Sequence, residues 1–173
     1  MMPRRACALL SLALAALVGS APMIAQAPPT PPPPRAPSGG ATTSVIQRQD
    51  TNDAGVVAEL TECSRKDGVL TVKLRLHNTG TANAAFTVLE QRSDFSKFYV
   101  TAANKKYFIL TDSEKAPLAP QLDAGYPWIK AKIAPGSSYQ WYAKFPAPPD
   151  SVKTLALYTP WTAPFDDVPI TDK

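Results

Sequence analysis

The stretch from Ile133 to Asp150 constrains the fold more than any other part of the chain. Pro135-Gly136 opens it as a turn: Pro135 presets φ, and Gly136 accepts the positive φ that a type II turn requires. From Ser137 the residues alternate, with Tyr139, Trp141, Ala143 and Phe145 on one face and Gln140, Tyr142 and Lys144 on the other. That is the period of a half-buried strand. Pro146, Pro148 and Pro149 stop it, because proline cannot donate to a ladder. A segment that drives three large aromatics to one side predicts a central strand of a sheet with a packed interior.

The rest of the pattern agrees. Val56, Ala58 and Leu60 alternate with Val57, Glu59 and Thr61 in a first strand running to about Ser64. Lys66-Asp67-Gly68 reads as a primed hairpin turn. Leu70, Val72, Leu74 and Leu76 then point one way while Thr71, Lys73, Arg75 and His77 point the other. Further strands are predicted at Ala85–Leu89, at Phe95–Thr101 with Phe98 and Val100 opposed to Tyr99, at Tyr107–Thr111 after an Asn104-Lys105-Lys106 turn, and at Val152–Tyr158. Pro160 to Ile170 reads as an extended tail, and Asp112 to Lys132, with Pro117, Pro120, Gly125 and Pro127, as a long irregular region that is functional or hides a short element. No amphipathic helix or internal repeat is found. About seven short strands with turn signals every ~8–14 residues predict an all-β, immunoglobulin-like antiparallel β-sandwich.

This domain is expected over 54–173. Before it, Arg4-Arg5 followed by the apolar run Ala6–Val18 reads as a secretory signal, residues 1–27, too short to span a bilayer. Ala25-Gln26-Ala27 and Val18-Gly19-Ser20 are alternative cleavage sites, with Pro28 an obstacle to the first, and the export route stays open between the general and twin-arginine systems. Retention of the leader as an anchor is the competing reading. Residues 28–53 are expected to form a Pro-rich disordered linker: Pro28 to Pro37 favours polyproline II, and 38–53 has too few apolar residues to fold alone. The formal charge of +4 includes Arg4 and Arg5, and without them it is too small to imply a nucleic-acid partner. An exported or periplasmic protein whose only cysteine outside the leader is Cys63 has no internal disulfide, so its core must hold it.

Several of these segments together resemble a known family. Asn104-Lys105-Lys106-Tyr107 through Leu110, Asp112 to Leu118, Ile133-Ala134-Pro135-Gly136, Trp141 to Pro148 and Pro164 to Ile170 are similar to turn and core signatures of exported bacterial immunoglobulin-like, broadly telokin-like, domains. The likeness covers roughly Val56 to Ile170. In that family the domain occurs alone or ahead of an OmpA-like peptidoglycan-binding domain. No such domain follows before Lys173, so attachment through it is not expected. The resemblance implies fold and export and carries over no catalytic residue.

Reactive constellations are sparse. A catalytic triad needs a histidine base, and the single His77 is expected on a solvent face. A Cys63–His77 dyad would need register that the Asp67-Gly68 hairpin does not set. One histidine and one cysteine cannot supply a zinc or copper shell, so no cofactor or metal is expected. Asp112, Glu114 and Asp123 match no calcium-loop spacing. Asp166-Asp167 are adjacent, and in extended chain such neighbours point to opposite sides. The expectation is a non-enzymatic envelope module for protein–protein interaction or a structural role, with strand edges and the long loop as contact surfaces. The alternative is carbohydrate or peptidoglycan binding through Tyr126, Trp128 and Trp161, where Pro127 holds two loop aromatics apart as a stacking platform.

Overall fold

The alternation at 139–145 is realised as a strand whose Trp141, Ala143 and Phe145 are buried and whose Gln140, Tyr142 and Lys144 are exposed. The computed structural model describes residues 44–89, 95–120 and 129–173, all within the compact unit Ala41–Lys173. Among them are eleven strands: β1 (Gln47–Asp50), β2 (Val56–Lys66), β3 (Val69–Asn78), β4 (Ala84–Leu89), β5 (Tyr99–Ala102), β6 (Lys105–Phe108), β7 (Ile129–Ile133), β8 (Ser138–Pro146), β9 (Thr154–Tyr158), β10 (Phe165–Pro169) and β11 (Thr171–Asp172). One sheet has the order β1-β2-β3-β8 with β11 also on β2, a second has β10-β9-β5-β6, and β4 pairs with β7. With β2, β3 and β8 as strands A, B and E and β5, β6, β9 and β10 as C, C′, F and G, these are the A-B-E and G-F-C-C′ pairings of an immunoglobulin-like sandwich.

Turn chemistry sets the register. Asp67 and Gly68 both have positive φ (49° and 76°), the primed geometry that lets β2 and β3 pair from Lys66↔Val69 to Val56↔Asn78. Gly136 has φ 71°, and the Ser137 amide donates to the Ala134 carbonyl at 2.9 Å, closing the turn into β8. Ala103 and Asn104 (φ 48° and 61°) make a second primed turn between β5 and β6.

Between the sheets, Trp161 forms edge contacts with Phe86, Phe98 and Trp141 at 5.6, 5.1 and 5.5 Å between ring centroids, while Phe98 stacks on Trp141 at 5.3 Å. Its indole N–H, which burial would otherwise strand, donates to the Val88 carbonyl at 3.0 Å. At the end of β3, buried Asn78 donates to the Ala82 and Ile133 carbonyls (2.8 Å each) and accepts from the Gly80 amide (2.9 Å), tying two loops to the sheet.

Charges close the outer face of the first sheet. Glu59 is buried there between Arg75 (2.6 Å) and Arg48. Burial works to raise its pKa, but hydrogen bonds from Arg75 and Arg48 outweigh that and hold the carboxyl below its usual range. Buried Arg65 donates to the Pro148 and Pro149 carbonyls (2.9 and 2.7 Å) and to Asp172 (2.7 Å), fixing β11 and the proline stop. Glu62 accepts from Lys173 and Ser64 (2.6 Å each) and pairs with Lys73 (2.7 Å).

Several expectations need correction: Pro160–Ile170, read as a tail, contains β10, and the strand expected at Tyr107–Thr111 is β6, which includes Lys105 and Lys106 of the expected turn. Gln47–Asp50, assigned to the 28–53 linker, is β1: an all-polar edge strand shows no alternation, and it holds by its ladder and by Gln47 and Gln49 amides donating to the Asp166 and Pro164 carbonyls. β7 starts inside the expected irregular region and ends one residue past it. Phe95–Lys97 is a 3-10 turn, so the strand starts at Tyr99. β8 ends its sheet, although the Leu110 amide and Leu118 carbonyl bond to Lys144 on its outer side (2.8 and 3.0 Å). The leader and residues 28–43 lie outside the described residues.

Replacing Asn78 with Ala removes a buried bond to the Ile133 carbonyl and part-buried bonds to the Ala82 carbonyl and Gly80 amide, and is expected to lower stability by ~2 kcal/mol in denaturant titration. An unchanged midpoint would show that water replaces the side chain. Glu62, held down to about 2 by its Lys173, Lys73 and Ser64 hydrogen bonds, gives a pH signature. A depressed carboxylate stabilises fully above its unfolded pKa near 4.5 and loses that contribution as pH falls towards about 2. Because both lysines are half exposed, its size is on the order of 1 kcal/mol. The Glu62→Gln variant should therefore lose less stability than wild type across this window, and parallel curves would refute the assignment.

Candidate functional site

The outer face of the second sheet carries aromatics where an exposed sheet surface is ordinarily polar. Alternation on β5 buries Val100 and Ala102 and turns Tyr99 and Thr101 outward. Register then sets Tyr99 between Phe108 of β6 and Tyr158 of β9. The Tyr99 and Tyr158 rings stack at 4.6 Å with an interplanar angle of 12°, and Phe108 lies 6.0 Å from Tyr99 on the other side. The Lys106 ammonium stands 4.4 Å from the Tyr99 ring centroid, a cation–π contact.

Phe108, 50% exposed, is also the wall of a groove of about 380 Å³. Phe95, Ser96, Ile109, Thr111, Lys115 and Pro117 line the remainder. The loop that carries Thr111, Lys115 and Pro117 is held folded by Asp112, whose Oδ1 accepts from the Glu114 and Ala116 amides (2.9 and 2.8 Å). Asp112 thus works as a turn cap rather than as a cation ligand. Ring row and groove meet at Phe108 and form one apolar surface fringed by Lys106 and Lys115.

Of the aromatics expected to bind ligand, Tyr126 and Trp128 lie outside the described residues. Trp161 is 4% exposed and enclosed by Phe86, Phe98 and Trp141, so it serves the core and has no face to offer a sugar. Size explains the correction: a tryptophan flanked by strands on both sides gains more from burial than from water contact. Local sequence shows Tyr99, Phe108 and Tyr158 only as large rings on outward positions of alternating strands; the β5–β6 and β5–β9 pairings bring them together.

Other groups are separated. Cys63 lies opposite Val72 while His77 lies opposite Val57, at the far end of the β2–β3 ladder and on the outer face, where its Nδ1 is 3.0 Å from the Ser138 Oγ. The Cys63 thiol is pushed up to about 12, by burial first and then by the Glu62 charge. Asp166 and Asp167 are both exposed, because a register shift between Phe165 and Val168 with Asp167 at φ 52° breaks the alternation. Among the described residues no group of three His, Cys, Asp or Glu side chains is placed to hold a metal ion, and no helix is long and apolar enough to cross a membrane. Comparison of the chain with family models, curated proteins and solved structures gives no match.

Native Cys63 should resist a thiol reagent at neutral pH and react once denaturant opens the sandwich, since the thiolate is the nucleophile. Labelling of the folded protein at the rate of a free thiol would contradict its burial.

Proposed function

We propose that this chain is a non-catalytic, exported β-sandwich module of the cell envelope, periplasmic or extracellular, that binds another protein through the Tyr99–Phe108–Tyr158 face and its groove. The observation that carries the reading is Phe108, a large ring left half in water at the junction of a ring row and an apolar groove. Leaving such a surface wet forgoes hydrophobic stabilisation, and patches of this kind mark binding surfaces. The leader-like sequence Arg4 to Ala27 and the resemblance to telokin-like envelope domains support the export and envelope parts.

Ring geometry favours a protein over a sugar. Carbohydrate stacking uses a free ring face, whereas Tyr99 and Tyr158 cover each other and Lys106 stands over Tyr99. Rings that offer edges beside a groove suit side-chain anchors. Cys63, the one nucleophile beyond the leader in cysteine form, is buried with its thiol pushed up to about 12, which suits packing better than chemistry.

A photo-crosslinking amino acid at position 108, expressed in cells, should give a discrete adduct with one envelope protein. The same group at exposed position 140, on the other sheet, should not. Equal adducts at both positions would overturn the reading. So would retention on purified peptidoglycan that Phe108→Ala abolishes, since that outcome assigns the face to carbohydrate.

A further inference from the structure

We infer that the groove beside Phe108 is a site for a small monocarboxylate whose body is apolar, either one aromatic ring or a short branched acyl group. This goes beyond the protein-binding reading and needs only the groove. Size sets the first limit: about 380 Å³ stands at the lower end of the range for small-molecule pockets. Composition sets the second. Phe95, Phe108, Ile109 and Pro117 supply apolar walls, Thr111 supplies a hydroxyl, and Lys115 is the single charged side chain among the described lining residues. Apolar walls with one cation match a guest that carries one negative charge on an apolar body. A dianion would leave a charge unpaired against that surface, and a cation would be repelled by the Lys115 ammonium.

The loop that carries this cation is built in advance. The Leu110 amide donates to the Lys144 carbonyl (2.8 Å) and the Lys144 amide to the Leu118 carbonyl (3.0 Å), so both ends of the loop are fastened to β8. The Leu118 amide closes the neck by donating to the Leu110 carbonyl at 2.7 Å. Inside, the Asp112 amide donates to the Ala116 carbonyl (2.9 Å) and the Lys115 amide to the Asp112 carbonyl (3.1 Å). Lys115 has φ 64°, in the left-handed region that a lysine seldom adopts, and these bonds hold it there. A backbone ordered before the guest arrives lowers the entropic cost of binding. The same fastening covers the edge beyond Phe108, which leaves the groove to a compact guest and not to an added strand. Neighbouring charges leave Lys115 available. Asp112 is turned onto the Glu114 and Ala116 amides, and among the described residues no carboxylate forms a salt bridge with Lys115. Glu114 is exposed, where solvent and salt screen its charge. The Lys106 ammonium is engaged over the Tyr99 ring, so selectivity rests on Lys115.

The test titrates the purified full chain with phenylacetate and, separately, with phenylacetamide, which keeps the ring and lacks the charge, while amide resonances are followed. Phenylacetate should shift Phe95, Ile109 and Lys115 saturably and bind about five-fold tighter than the amide, the upper range for a solvent-exposed ion pair. That gap should narrow in high salt. Lys115→Asn, which tolerates the same φ, should remove the preference, and Lys115→Arg should keep it. Lys106→Gln, on the ring row, should leave it unchanged. Absence of saturable shifts, shifts confined to other residues, equal affinity for acid and amide, or a preference that survives Lys115→Asn would each overturn the inference. None of these results bears on the protein-binding reading, which the crosslink at position 108 decides by itself.

Discussion

The sandwich is held together by a tryptophan that belongs to no strand. Trp161 lies between β9 and β10, yet its ring touches Phe86 of β4, Phe98 ahead of β5 and Trp141 of β8, so one side chain joins the two large sheets and the small ribbon. Its backbone does the same for the first strand: the Asn52 amide donates to the Trp161 carbonyl at 2.8 Å, and Thr51 bridges to Thr162. Edge-to-face rings gain quadrupolar attraction beyond their buried area, and the paired indole N–H avoids the penalty of a stranded donor. Without a disulfide, this cluster occupies the position where a sandwich needs its cross-sheet tie.

The two outer faces differ in kind. On the first sheet, carboxylates are enclosed by cations: Glu59 by Arg48 and Arg75, and Glu62 by Lys73 and Lys173. Such a face satisfies its own charges and offers little to a partner. On the second sheet rings face water, with the Lys106 ammonium over Tyr99 and Lys115 at the groove. The asymmetry is what makes the second face the candidate site.

Local chemistry made much of this legible. The Asp67-Gly68 turn and the Leu70–Leu76 alternation specify β2, β3 and their register, and the Tyr139–Phe145 alternation specifies β8 and its buried face. β1 was hidden because Gln47-Arg48-Gln49-Asp50 is polar on both faces and depends on a strand ten residues or so away for its definition. β7 does alternate, with Ala131 and Ile133 buried between exposed lysines, but the prolines upstream masked it. The burial of Trp161 and the meeting of Tyr99 with Tyr158 arise from pairings remote in sequence, which no periodicity encodes.

β2 has one further property. Its outer edge is shared: β1 runs antiparallel along Val57–Leu60, β11 runs parallel along Ser64–Arg65, and a register shift between Leu60 and Glu62 separates the two. Gln47 therefore sits beside Leu60 and Thr171 beside Ser64, so the polypeptide enters and leaves the sandwich within roughly 13 Å at strand spacing. A body whose two ends are fastened side by side to the same strand hangs from whatever holds it like a loop on a single peg. Tension between those ends loads the β2 edge and, through the Gln47 and Gln49 bonds to Asp166 and Pro164, the β10 edge, which lies at the opposite side of the second sheet from β6.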